Sequence, residues 1–160
     1  MDNIKIPEIG DKSPQFSLPD QNEKIISLKD FSEKWIILYF YPKDNTSGCT
    51  KEAIGFTEVK DELEKSGVFV LGISPDSPKS HRNFIEKKEL RITLLSDPEH
   101  KVLEKFGAWR LKKNYGREYY GVIRSTFIIS PEKKIVYRWK NVKVNGHVEA
   151  VMKKLKEVMK

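Results

Sequence analysis

Apolar residues in this chain fall in short blocks separated by charged segments. Trp35-Ile36-Ile37-Leu38-Tyr39-Phe40-Tyr41 is a continuous apolar and aromatic run. It is too short for a typical helix, so it predicts a buried central strand. Pro42 ends that strand, because proline cannot donate to a sheet ladder. Ala53, Phe56, Val59 and Leu63 then recur at helical spacings and predict a helix over 50–65. Gly55 weakens that helix by about 1 kcal/mol relative to alanine. Residues 68–73 read as a second buried strand. Ser77-Pro78 supplies an N-cap and a first-turn proline for a helix reaching about Lys88.

Residues 92–95 form a short strand, and Asp97-Pro98 repeats the cap signal ahead of Val102, Leu103 and Phe106, with Gly107 as the stop. Residues 108–120 read as a loop. Residues 121–130 and 134–139 read as two strands joined at Pro131-Glu132, a hairpin. The last helix spans 146–159, with Val148, Val151, Met152, Leu155 and Met159 on one stripe. Upstream, Pro7, Gly10, Pro14, Pro19 and Asp20 make residues 1–30 turn-rich, with short strands near 15–18 and 24–27. Strands alternate with helices first and a hairpin comes last. That order predicts an α/β fold with a central mixed β-sheet flanked by helices on both faces. No repeat or long linker divides the 160 residues, so one domain over 1–160 is expected.

Composition narrows the setting. Thirty basic residues against 23 acidic give a net charge of +7, but lysine and glutamate are interspersed, as in Glu86-Lys87-Lys88-Glu89. Such a pattern is that of a solvated surface, and it does not demand a polyanionic partner. No apolar run approaches a membrane span. Met1-Asp2-Asn3-Ile4-Lys5 lacks a basic segment followed by an apolar one, so the expectation is a cytoplasmic protein without membrane attachment. The single cysteine forbids an intramolecular disulfide and suits a reducing compartment.

That cysteine carries the strongest chemical signal. A lone intracellular cysteine is ordinarily a small buried hydrophobe. Cys49 instead follows a loop that leaves the carboxyl end of the central strand, the edge where open α/β sheets bind ligands. It also falls at a helix start, where unpaired N–H groups and the helix dipole favour a thiolate. An unperturbed thiol near pKa 8.5 is only about 3% ionised at neutral pH. Full ionisation gains about 30-fold, and part of that is returned because nucleophilicity falls with pKa. A helix start is therefore too little for a fast enzyme, and further donors must position the bond under attack.

Pro42-x-x-x-Thr46-x-x-Cys49 matches the signature of the peroxiredoxins. The wider stretch over 39–52, and Gly121-Val122-Ile123-Arg124-Ser125-Thr126-Phe127-Ile128-Ile129 about 75 residues further on, resemble the bacterioferritin-comigratory, or peroxiredoxin Q, subfamily. Weaker similarity reaches Gly146-His147. The resemblance implies a thioredoxin-like fold and a thiol-dependent peroxidase that needs no cofactor and no metal. It implies that Cys49 attacks peroxide and becomes a sulfenic acid. Thr46 would use its hydroxyl between thiolate and peroxide; the competing reading is an ordinary ST-turn or helix cap. Arg124 would donate to the sulfur and the peroxide; the competing reading is a surface ion pair, disfavoured by its apolar strand. Pro42 would shield the sulfur, or simply end the strand. Gly48 belongs to the same substrate-binding segment, and Glu52 would support the helix start or pair with an arginine.

Two positions depart from the subfamily. Ser47 stands where proline is usual, and the signature tolerates variation there. Ile54 stands where many members carry a second, resolving cysteine, and the chain has no other. The expected cycle is therefore a one-cysteine one, closed by an external thiol: a small thiol, a thioredoxin-like protein or a glutaredoxin-like protein. The subfamily implies a monomer, with a dimer as the alternative.

Rival readings are weaker. His81, His100 and His147 lie far apart with no paired ligand spacing, so a metal site is not expected. Phosphate-binding glycine loops and a Cys-x-x-Cys pair are both missing. Residues 109–120 interleave basic and aromatic side chains and could bind single-stranded nucleic acid. A loop that packs its aromatics over the site and solvates its lysines accounts for them better, so no nucleic-acid partner is expected. A redox sensor using the same cysteine without turnover is the second rival.

Overall fold

A computed structural model describes residues 5–160; the chain start over 1–4, on which the leader expectation rests in part, lies outside the described residues. Two short strands, β1 (Ser17–Pro19) and β2 (Ile25–Ser27), pair antiparallel and lead through a single 3-10 turn into β3 (Trp35–Phe40). Then follow α1 (Ser47–Lys65), β4 (Val68–Ser74), α2 (Pro78–Lys88), β5 (Thr93–Ser96) and α3 (Lys101–Lys105). The chain closes with β6 (Trp109–Asn114), β7 (Arg117–Val122), β8 (Ser125–Ile129), β9 (Ile135–Trp139) and α4 (His147–Val158). The main sheet has five strands in the order β5-β4-β3-β8-β9. β3, β4 and β5 run parallel, whereas β8 is antiparallel to β3 and β9 to β8. This is the mixed sheet expected from the element order.

The period of two along β3 divides the core. Ile36, Leu38 and Phe40 face a cluster with Val102 and Leu103 of α3, Phe106 and Phe127. Ile37, Tyr39 and Tyr41 face the opposite cluster with Phe56 of α1, Phe84 of α2, and Val151 and Leu155 of α4. Helices therefore cover both faces, and β3 is buried between them. Tyr41 N–H makes the last ladder bond, to Ile73 O at 3.1 Å, and Pro42 turns the chain out of the sheet. Gly55 has a packing reason. A Cβ there would lie 2.8 Å from Val148 Cγ2, so the glycine lets α1 and α4 approach closely.

Four expectations need correction. α1 begins at Ser47, not at residue 50, because Ser47 and Gly48 bring no apolar side chain to the periodic pattern. Asp97-Pro98 does not start α3, whose first helical residue is Lys101. Asp97 still serves the helix end from a distance, since its Oδ2 accepts from Leu103 N–H at 2.8 Å. Residues 108–120 are not a loop: β6 and β7 form an antiparallel ribbon turning at Tyr115-Gly116. Its aromatics do not close over a site, because Tyr115 is 97% exposed and Tyr119 and Tyr120 are also exposed, while Trp109 stacks on His100 at 3.6 Å. Finally, 121–130 is not one strand. β7 ends at Val122 and β8 begins at Ser125, which leaves Ile123 and Arg124 in the break.

Candidate active site

The 42–46 loop joins the carboxyl end of β3 to α1. Thr46 has extended backbone (φ −81°, ψ 156°) and is the N-cap residue, with Thr50 N–H donating to its carbonyl at 2.9 Å. Ser47, Gly48 and Cys49 make the first turn, whose N–H groups have no carbonyl one turn back to bond. Cys49 points inward and is only 1% exposed. The break between β7 and β8 lies across from this turn and presents Arg124.

Arg124 Nη2 donates to Cys49 Sγ at 3.2 Å. Its other terminal nitrogen, Nη1, donates to Glu52 Oε1 at 3.3 Å. Cys49 and Glu52 are three residues apart on one helix face, so a single guanidinium spans both. Glu52 is buried and Arg124 is 20% exposed at its side chain. Burial pushes the Glu52 carboxyl up from 4.5 to about 7, against the charge and hydrogen bond of Arg124, which pull it down. Gly48 makes the approach feasible: a Cβ would sit 2.9 Å from Arg124 Nη2.

The sequence-derived residues do not all converge. Cys49, Arg124, Gly48 and Glu52 do. Thr46 is exposed, and its hydroxyl donates to Lys43 O at 3.0 Å while the sulfur is held by Arg124. Pro42 is half-buried at the loop start. A groove of about 640 Å³ runs beside α1, lined by Thr50, Glu52, Ile54, Val144 and Val148 among others. Ile54, 39% exposed, looks into it.

Two features escaped the sequence reading. Tyr39 is fully buried beside the site, and among the described residues its hydroxyl has no hydrogen-bond partner. Burial first, then the negative charges of Glu52, Cys49 and Asp44, hold its ionisation well above the ordinary range, while Arg124 acts in the opposite sense. Tyrosine hydroxyls within an apolar strand are the available signal, since a buried one ordinarily needs a partner. The other feature corrects the view of the histidines as isolated. Folding brings one donor atom each of Asp44, Asp76 and His81 within 4.8 Å of one another. These atoms already bond within the protein: His81 Nδ1 to Asp44 Oδ2, and Asp76 Oδ2 to Asp44 N–H and Ser74 Oγ. A cation would have to displace that network.

Residues 9–138 match the AhpC/TSA family. The chain belongs to that family. It is a peroxiredoxin, a thiol-dependent peroxidase with a thioredoxin-like fold. Peroxiredoxin Bcp of Escherichia coli is 45% identical over 92% of this chain and 95% of its own length. The PrxQ of Xylella fastidiosa superposes with a TM-score of 0.91 at 36% identity, over 98% of this chain and 99% of that one. The bacterioferritin comigratory protein of Xanthomonas campestris, solved in work on its alkyl peroxide reduction activity, gives 0.86 at 38% identity over 91% and 92%.

Proposed function

We propose that this peroxiredoxin reduces hydrogen peroxide and organic hydroperoxides by a one-cysteine cycle centred on Cys49. The observation that carries the reading is the 3.2 Å contact of Arg124 with the sulfur of the chain's single cysteine. The thiolate attacks one peroxide oxygen. An S–O bond forms as the O–O bond breaks, sulfur is oxidised by two electrons, and water or an alcohol leaves once protonated. Arg124 holds the thiolate and steadies the charge that develops on the departing oxygen. Thr46, released from Lys43 O, would donate to the incoming peroxide. Gly48 and Pro42 shape the entrance, and Glu52 orients Arg124.

The sulfenic acid has no partner cysteine within the chain. An external thiol condenses with it, forming an S–S bond and releasing water, and a second thiol exchanges to return Cys49 and a disulfide. A small thiol, a thioredoxin-like protein or a glutaredoxin-like protein can serve. Activity on organic hydroperoxides draws support from the Xanthomonas campestris relative. The same reading takes 1–160 as one domain, acting as a monomer, with a dimer as the alternative, in the cytoplasm where thiols are abundant; among the described residues no helix is long and apolar enough to cross a membrane.

The test is peroxide consumption by wild type and Cys49→Ser with a panel of thiols. Loss of turnover in the variant is expected, and equal turnover would overturn the reading. Single-turnover oxidation that no thiol reverses would favour a sensor instead.

A further inference from the structure

His81 is fully buried on α2, and both of its ring nitrogens face acceptors. Nδ1 lies 2.8 Å from Asp44 Oδ2, and Nε2 lies 3.1 Å from the carbonyl oxygen of Leu95 on β5. A carbonyl oxygen can only accept, so Nε2 carries a hydrogen. Asp44 is approached by donors as well: Tyr41 hydroxyl reaches Oδ1 at 2.6 Å and Ser80 hydroxyl reaches Oδ2 at 2.8 Å. One hydrogen lies between Nδ1 and Oδ2. The groups facing the ring are thus Asp44 from the loop, Tyr41 after β3, at 3.3 Å from Nδ1, and the Leu95 carbonyl from β5. Asp76 lies behind Asp44 and accepts its N–H at 2.8 Å. The other well-buried histidine offers a contrast. His147 Nε2 meets only the Thr126 hydroxyl at 2.8 Å, and burial pushes its pKa down to about 4, so that ring is neutral at neutral pH.

We propose that His81 is a positioning residue for the peroxide step: a buried ring that pins Asp44, and with it the 42–46 loop, so that the cap of α1 holds Cys49 in register with Arg124. Asp44 stands two residues before Thr46 and five before Cys49. No other described side chain ties this loop to both α2 and β5 through one ring. The proposal rests on the reading of Cys49 as the residue that attacks peroxide.

Stopped-flow oxidation of Cys49 by one equivalent of peroxide tests the role. His81→Gln should slow this step tenfold to a hundredfold, the scale of a displaced reacting group. Reduction of preoxidised enzyme by a small thiol should stay within twofold of wild type. Imidazole in the buffer should restore part of the peroxide rate of His81→Ala. A folded His81→Gln protein with the wild-type peroxide rate overturns the proposal alone. Failure of wild-type Cys49 to react with peroxide at all would overturn the underlying reading, and the proposal with it.

Discussion

Two buried acids flank the carboxyl end of β3, and they are held very differently. Asp44 accepts from the Tyr41 hydroxyl at 2.6 Å and from the Ser80 hydroxyl at 2.8 Å, and shares a hydrogen bond with His81 Nδ1 at 2.8 Å. Among the described residues Glu52 has a single side-chain donor, Arg124, at 3.3 Å, and that donor is shared with Cys49. Burial outweighs its partner and pushes Glu52 up to about 7. A well-bonded acid is a scaffold, because moving any of its donors leaves a buried polar group unpaired. A poorly satisfied one leaves its cation free to serve a third group, here the sulfur. The same strand end therefore carries a rigid clamp on one side and a loosely balanced reactive cluster on the other.

The sharpest way to break this contrast is to remove the clamp. Asp44→Ala strands Tyr41, Ser80 and His81 without their shared acceptor, and a loss of roughly 3–5 kcal/mol in denaturant unfolding is expected, the cost of breaking a buried pair. Next comes the reactive side. Arg124→Met should cut the rate of Cys49 oxidation by about 10²–10³, the scale for losing one preorganised donor, with little change in unfolding midpoint. Stopped-flow kinetics and thermal melts on the same sample separate the two behaviours.

Glu52 gives a pH test. Its folded value lies above the ordinary 4.5, so the folded state keeps a proton that the unfolded chain releases. Its contribution to stability is fully present below pH 4.5 and is lost as pH rises through about 7. That displacement corresponds to roughly 3 kcal/mol. The difference in stability between wild type and Glu52→Gln should therefore fall across this window and flatten above it. A pH-independent difference would show that burial does not raise the Glu52 carboxyl.

The smallest expected effects come from the two glycines of α1. Gly48→Ala places a Cβ 2.9 Å from Arg124 Nη2 and should slow peroxide oxidation by about tenfold, as the guanidinium shifts from the sulfur. Gly55→Ala meets Val148 Cγ2 at 2.8 Å. Overpacking costs about 1–3 kcal/mol and helix propensity returns about 1 kcal/mol, so a small net destabilisation with an unchanged peroxide rate is expected.

These two sides also differ in how far they could be read from sequence. The reactive side was accessible because its parts lie in local patterns: an apolar run ended by Pro42, a cysteine at a helix start, and an arginine interrupting apolar residues. The break that presents Arg124 was not, because Val122-Ile123 lead up to it and Phe127-Ile128-Ile129 follow closely, with no glycine or proline between them. The β6–β7 ribbon was missed for a related reason. It is a two-stranded excursion with exposed residues on both sides, so no alternation of apolar and polar positions marks it. The clamp was least legible. Asp44 and His81 are separated by 37 residues, and His81 shares its helix with charged residues that give no hint of a buried partner.

The most direct test of the central claim is intact-protein mass spectrometry after one equivalent of peroxide, followed by a thiol. The account predicts an adduct of one oxygen atom located at Cys49, its conversion to a mixed disulfide, and return to the free thiol as more thiol is added. Peroxide consumed at full rate with Cys49 unmodified at every stage would contradict it.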